Sequence, residues 1–270
     1  KINLAKLILN NLHQKNWDNI NFWTNESLVL EKISQFDKIN GLMKETTILV
    51  MGLLIKNWLN TFINYDTNIN DVLNKKKYSD NYEIYGPFDI GPDAPGITYE
   101  LFCNNEEKLP DEYKKKCNIG TVCLVLGAGN QNFLTIIDVL QRVFIYNECV
   151  LIKHHPLRSF LYEPYEIILK PLIDLNIVKM IKDNGNEFTK YILENNLIGH
   201  IHFTGSEKTY SYINDIIKKR PIESECIITA ELGCVTPWIF LPGNWKEIEL
   251  DNAIKSIVSA KKANGGCNCL

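Results

Sequence analysis

From Gly120 onward the chain alternates short apolar runs with amphipathic stretches of ten or more residues, a pattern few folds accept. "GTVCLVLGAG" is apolar, β-branched and ends in glycines, as a buried strand and its turn would be. "NFLTIIDVLQRVFIYN" follows, with Leu134, Ile137, Leu140 and Val143 at helical spacing. "ECVLIKHH" (Glu148–His155) reads as a second strand, closed by Pro156, and an amphipathic segment ending in "LKPLIDLN" comes next. "IVKMIKD" (Ile177–Asp183), "IGHIHFTGS" (Ile198–Ser206) and "CIITAEL" (Cys226–Leu232) read as further strands, separated by the helical "NEFTKYILENN" and "KTYSYINDIIKK". The alternation predicts βαβ units and an α/β fold: a doubly wound, mostly parallel, Rossmann-like sheet. Such sheets bind ligands at the carboxyl ends of their strands, where "GAGN", "KHH", "TGS" and "ELG" all fall.

Residues 1–80 read as mainly helical, with apolar positions at Ile2, Leu4, Leu7, Ile8 and Leu12 and again at Met51, Leu54, Ile55, Trp58 and Leu59. The longest apolar run, Thr47–Ile55, is far short of the roughly 20 residues that span a bilayer, so it reads as a buried helix. Asn68–Asn81 is polar and reads as a connection; the Pro- and Gly-rich Tyr85–Asn105 reads as a loop leading into the extended "ITYELFC". With 45% hydrophobic and 23% charged residues the chain can build a sizeable core. A net charge of −3 gives no electrostatic reason to expect nucleic acid or an anionic membrane as partner. The chain starts at Lys1 with no charged-then-apolar leader, and its eight irregularly spaced cysteines read as free thiols in a reducing, cytoplasmic compartment.

Several positions at the strand ends carry possible chemistry. Gly127-Ala128-Gly129-Asn130 begins a glycine fingerprint without its third glycine, so it is either a dinucleotide site or a tight strand-to-helix turn. "FTGS" (Phe203–Ser206) offers backbone N–H groups to an anion at a helix start, or Ser206 simply caps the helix. Lys153 leaves a buried strand, either to meet a hydroxyl or phosphate or to snorkel to solvent. Glu231 closes "CIITAE", where a buried carboxylate needs a task or a partner; general base and helix cap are both open. His154, His155, His200 and His202 suggest a metal, but His200 and His202 share one strand face, His154 and His155 point to opposite faces, and no carboxylate pair completes a set. No metal site is expected.

The tail "KKANGGCNCL" holds Cys267 and Cys269. They supply at most two zinc ligands, and their spacing disfavours a mutual disulfide. "CNCL" puts a cysteine fourth from the end, as in a prenylation signal, but Asn268 is a poor aliphatic substitute. A cysteine just after the glycine pair Gly265–Gly266 also sits on backbone pliant enough to serve as a nucleophile.

Taken in order, "GAGNQN", "VLIKHHP", "HIHFTGS", "TAELGCVTP" and "NGGCNC" resemble the aldehyde dehydrogenase superfamily, closest to a poorly characterised branch with "LVLGAGN" and "HITGS". The resemblance runs from about Gly120 to the end and more loosely through the N-terminal part. It implies that Cys269 is the catalytic thiol, with Gly266 as the glycine of its Gly-x-x-Cys signature. It implies that Glu231 is the general base and Asn130 the oxyanion-hole amide. Lys153 then holds the adenosine ribose, Ser206 lies at the pyrophosphate, Gly205 lets the cofactor approach, and Gly129 and Leu232 lie on the cofactor side. The cofactor implied is NAD or NADP, and the substrate an aldehyde oxidised through a cysteine-bound thioester that Glu231 hydrolyses.

The chain departs from the family pattern at Cys267, where many members have glutamine, at Pro156, where many have the carboxylate that selects NAD, and at Cys234 in "ELGC". Family members continue well past the nucleophile. The resemblance therefore implies a cofactor-binding portion over residues 1–230 and the start of a catalytic domain over 231–270. By the same token the chain is a fragment or truncated product, inactive alone and homo-oligomeric when complete. A non-catalytic nucleotide-binding module and an acyl-CoA reductase are the alternative functions.

Overall fold

The computed structural model describes residues 1–13, 51–63, 75–77, 82–89, 98–104, 122–182, 185–221, 226–262 and 266. Helix α1 is Ile2–His13, and residues 51–63 form helix α2. Three strands follow, β1 (Lys75–Lys77), β2 (Tyr82–Asp89) and β3 (Thr98–Asn104). Then come β4 (Val122–Leu126), α3 (Leu134–Phe144), β5 (Cys149–Lys153), a 3-10 turn (Pro156–Leu161), α4 (Tyr162–Asp174) and β6 (Val178–Ile181). The remainder is α5 (Gly185–Glu194), β7 (Ile198–Thr204), α6 (Glu207–Ile217), β8 (Ile227–Glu231) and α7 (Glu247–Lys262).

The alternation read from the sequence becomes a five-stranded, wholly parallel sheet of order β6-β5-β4-β7-β8. Successive side chains of β4 feed two different cores, because residues alternate across a sheet. Cys123 and Val125 pack with α1, α2, α3 and α4, whereas Leu124 and Leu126 pack with α5, α6 and β7. Both faces are thus covered, which is why these strands are almost continuously apolar.

The helix-to-strand turns also have local causes. Asn147 (φ 58°) and Asn176 (φ 56°) take the left-handed conformation after α3 and α4, and asparagine adopts it with the least strain after glycine.

The N-terminal helices belong to the first core. Ala5, Ile8 and Leu12 of α1 are buried on one stripe, together with Met51, Ile55 and Leu59 of α2. The stripe differs slightly from the sequence reading, because Leu7 is half exposed and Ala5 takes its place. Asn11 Nδ2 donates to Ile167 O of α4 at 3.2 Å, and Lys1 Nζ to Phe144 O of α3 at 2.5 Å, so polar groups at both ends fix the helix. The expected helical continuation over residues 14–50 lies outside the described residues.

Two readings are corrected. The polar connection Asn68–Asn81 contains β1, and the loop expected from Tyr85 begins inside β2; these two strands and β3 form an antiparallel sheet. The register shifts between Tyr85 and Phe88, and that irregularity takes up Gly86 and Pro87, which a regular ladder would not accept because proline has no N–H to donate. Helix α7 was not anticipated, although Lys246 N donates to Glu249 Oε2 at 2.8 Å and the acidic first turn and the Lys261–Lys262 end match the helix dipole. None of its described residues is buried, and Trp238, Phe240 and Trp245 before it are also exposed.

Candidate functional site

The chain winds from β4 to β5 and β6 on one side, then crosses to β7 and β8 on the other. The carboxyl ends of β4 and β7 therefore flank the point where winding reverses, the place where doubly wound sheets bind ligands. Gly127–Asn130 leaves β4 at that point, and Gly205–Ser206 leaves β7.

Neighbouring strand ends are tied to these loops. Gly127 N donates to Lys153 O at 2.9 Å, and Gly205 N donates to Glu231 O at 3.0 Å. Lys153 pairs with Leu126 across β4–β5, and Thr204 with Glu231 across β7–β8. Asn130, Gly129, Lys153, Gly205, Ser206, Glu231 and Leu232 thus gather at one end of the sheet. Cys267 and Cys269 lie outside the described residues; the adjacent Gly266 has φ +79°, a conformation that side-chain-bearing residues rarely take.

Each side chain at this end has a definite setting. Lys153 is buried, only 8% exposed, so it does not snorkel to solvent. Ser206 caps α6, its hydroxyl accepting from Thr209 N at 3.2 Å, so this 11-residue helix begins with a side-chain cap at the carboxyl end of β7. Glu231 is exposed at the end of an edge strand, so the burial cost expected for its carboxylate does not arise. A Cβ on Gly129 would come within 2.8 Å of the half-buried His155 ring, so a larger residue there would displace that ring. Phe203 likewise fills the side-chain face of Gly205. Ala128 N donates to Thr135 Oγ1 at 3.1 Å, and Tyr165 Oη donates to Asn132 O at 2.7 Å, so the loop after β4 is held from two helices.

His154 lies behind Lys153, against the rings of Tyr162 and Tyr165 with centroids 5.7 and 5.3 Å away. Burial, and secondarily the Lys153 charge, lower its pKa from 6.5 to about 4. Among the described residues its Nε2 has no hydrogen-bond partner, which suits a neutral ring. The unfolded chain takes up this proton below about pH 6.5, while the folded chain resists it down to about pH 4. Stability is therefore expected to fall by an amount on the order of 3 kcal/mol as pH drops through that window, and to be indifferent to this group above it. Urea unfolding of the native chain and of His154→Leu from pH 7 to 4 measures it; equal slopes for the two would refute the assignment.

A second polar group of residues runs from the amino ends of the strands toward their middle. His200 Nδ1 lies 2.6 Å from Glu148 Oε1, and His200 Nε2 lies 2.9 Å from Thr229 Oγ1. Thr229 Oγ1 also meets His202 Nδ1 at 2.8 Å, and His202 Nε2 lies 3.3 Å from Asp138 Oδ1. Arg142 Nη2 reaches His202 Nδ1 at 3.2 Å. Cys123 belongs to the same group: one donor atom from each of Cys123, Glu148 and His200 lies within 4.8 Å of the others. The sequence reading set metal aside for want of a carboxylate pair; the structure supplies a thiol and a single carboxylate from other strands, and no spacing in the sequence signals it.

The aldehyde dehydrogenase family model matches residues 122–270, more than half of the chain. A D-glyceraldehyde dehydrogenase (NADP(+)) of Picrophilus torridus is 30% identical over 109 residues, covering 39% of this chain and 20% of that protein. Among solved structures, succinate-semialdehyde dehydrogenase from Burkholderia pseudomallei superposes with a TM-score of 0.60 at 12% identity, over 99% of this chain and 46% of that one. Succinic semialdehyde dehydrogenase from Streptococcus pyogenes, in complex with NADP+, gives 0.52 at 12% identity, over 99% and 52%. The chain thus spans about a fifth of the curated relative and about half of the structural neighbours.

Proposed function

The chain belongs to the aldehyde dehydrogenase family, and from that premise we propose that it forms the cofactor-binding part of an enzyme oxidising an aldehyde to a carboxylic acid with NAD or NADP. The observation that carries this reading is the convergence of the β4 loop, the capped α6 start and buried Lys153 at the point where the sheet's winding reverses. This end of the sheet suits a dinucleotide: the α6 N-terminus would receive the pyrophosphate beside Ser206, and the Lys153 ammonium would donate to a ribose hydroxyl. When bound, the nicotinamide supplies the hydride acceptor.

The remaining chemistry belongs to the chain's own residues. The thiolate of Cys269 attacks the aldehyde carbon, and the Asn130 amide donates to the oxyanion that forms. Departure of hydride leaves a thioester on Cys269. Exposed Glu231 then removes a proton from a water, whose oxygen displaces the thiol and releases the carboxylic acid. The substrate aldehyde's identity is not set by any of these residues. Pro156 in place of the NAD-selecting carboxylate removes a group that would repel a 2′-phosphate, which favours acceptance of NADP.

Cofactor binding tests this reading without requiring turnover. Titration of the 270-residue chain with NADPH and NADH, followed by nicotinamide fluorescence, is expected to saturate. Lys153→Met is expected to weaken binding about tenfold, the loss of one charge-assisted hydrogen bond. No binding of either nucleotide, or unchanged affinity in the variant, would overturn the site.

A further inference from the structure

We propose a second site, a metal centre for a zinc-like divalent cation held by Cys123 Sγ, a Glu148 carboxylate oxygen and His200 Nδ1, near the amino ends of the strands and away from the Gly127–Asn130 and Gly205–Ser206 loops. It is independent of the proposed dehydrogenase chemistry. Cys123 is the second residue of β4, Glu148 immediately precedes β5, and His200 is the third residue of β7, so the donors come from three adjacent strands near their amino ends. Cys123 and His200 are register partners, which puts both side chains on the same face. All three residues are buried, at 0%, 6% and 7% exposure.

The donors lie close to where a tetrahedral ion needs them. Bonds of about 2.0–2.3 Å set ligand atoms roughly 3.3–3.8 Å apart, and here they already lie within 4.8 Å of one another. Chemically the set is one thiolate, one carboxylate and one imidazole, which suits zinc and neutralises a divalent charge inside the protein. The outer contacts are those a ligating histidine requires: with Nδ1 on the metal, Nε2–H donates to Thr229 Oγ1, 2.9 Å away. Thr229 is held in turn by His202, which Asp138 and Arg142 approach from α3. Metal uptake replaces the direct Glu148–His200 contact with two bonds to the ion. Three protein ligands leave one position for a water. Because the donors are buried, the ion enters as the sheet closes, and it then ties β5, β4 and β7 together.

The test refolds the 270-residue chain under reducing conditions with Co2+ or Zn2+, removes free metal, and measures bound metal per chain. We expect one equivalent and, with Co2+, a thiolate-to-cobalt charge-transfer band in the near ultraviolet. The band should persist in the Cys267→Ser/Cys269→Ser double variant and vanish in Cys123→Ala. Thr229→Val should bind about tenfold more weakly. Should Cys123→Ala lose the native circular dichroism spectrum, the near-isosteric Glu148→Gln decides, with at least about tenfold weaker binding expected. Absence of a bound equivalent, a band that survives Cys123→Ala, or unaltered affinity in Glu148→Gln would each overturn the site.

Discussion

Cys269→Ala in the native protein is expected to lower aldehyde-dependent reduction of NAD(P) by about ten-thousand-fold or more, while cofactor affinity stays within about twofold. Without the sulfur no thiohemiacetal forms, and an aldehyde has no good hydride to give until a nucleophile has added to its carbonyl. Cys267 provides the internal control: two residues away in sequence, it has no part in the proposed reaction, so Cys267→Ser should keep most of the rate. Steady-state assays of both variants against a panel of aldehydes measure the difference. Retained turnover in Cys269→Ala would remove that residue from the role. Cofactor binding with no turnover by the native protein on any aldehyde would favour the nucleotide-binding module instead.

The second large effect concerns stability. Ile8→Ala is expected to cost about 2–5 kcal/mol, because Ile8 is fully buried where α1 and α2 meet the helices that cover β4 and β5. Its neighbour Leu7 is 50% exposed, and Leu7→Ala should stay within about 1 kcal/mol. Chemical denaturation of both variants reads the contrast. Equal and small effects would mean that α1 is not part of the core that supports the β4 loop. The same core bears on the proposed site, since α3 and α4 hold that loop through Thr135 and Tyr165 and share the core with α1.

The parallel sheet was readable because its signal is local. β4, β5 and β7 are short apolar runs, and each is followed by a segment whose apolar residues recur at helical spacing. β2 was not readable, because Gly86 and Pro87 argue for a turn; only pairing with β3 and a register shift make the strand possible. Helix α7 carried the right charges at its ends but lacks a buried face among the described residues, and burial is what makes helical periodicity visible. The strand-end positions Asn130, Lys153, Ser206 and Glu231 could be named from the sequence because a doubly wound sheet places every strand end on one side.

What the amino-acid order determined by itself was the type of most elements in the second half, and with it the end of the sheet where the strands' carboxyl ends gather. Periodicity and turn residues act between neighbours in the chain, so they survive in a single sequence. The tertiary structure decided which distant residues meet. It buried Lys153 and left Glu231 exposed, because one ends an inner strand and the other an edge strand. It also brought Cys123, Glu148 and His200 together from three strands. Strand order and register fix such meetings, and they depend on how the helices cover the two faces of the sheet, which no short stretch of sequence contains.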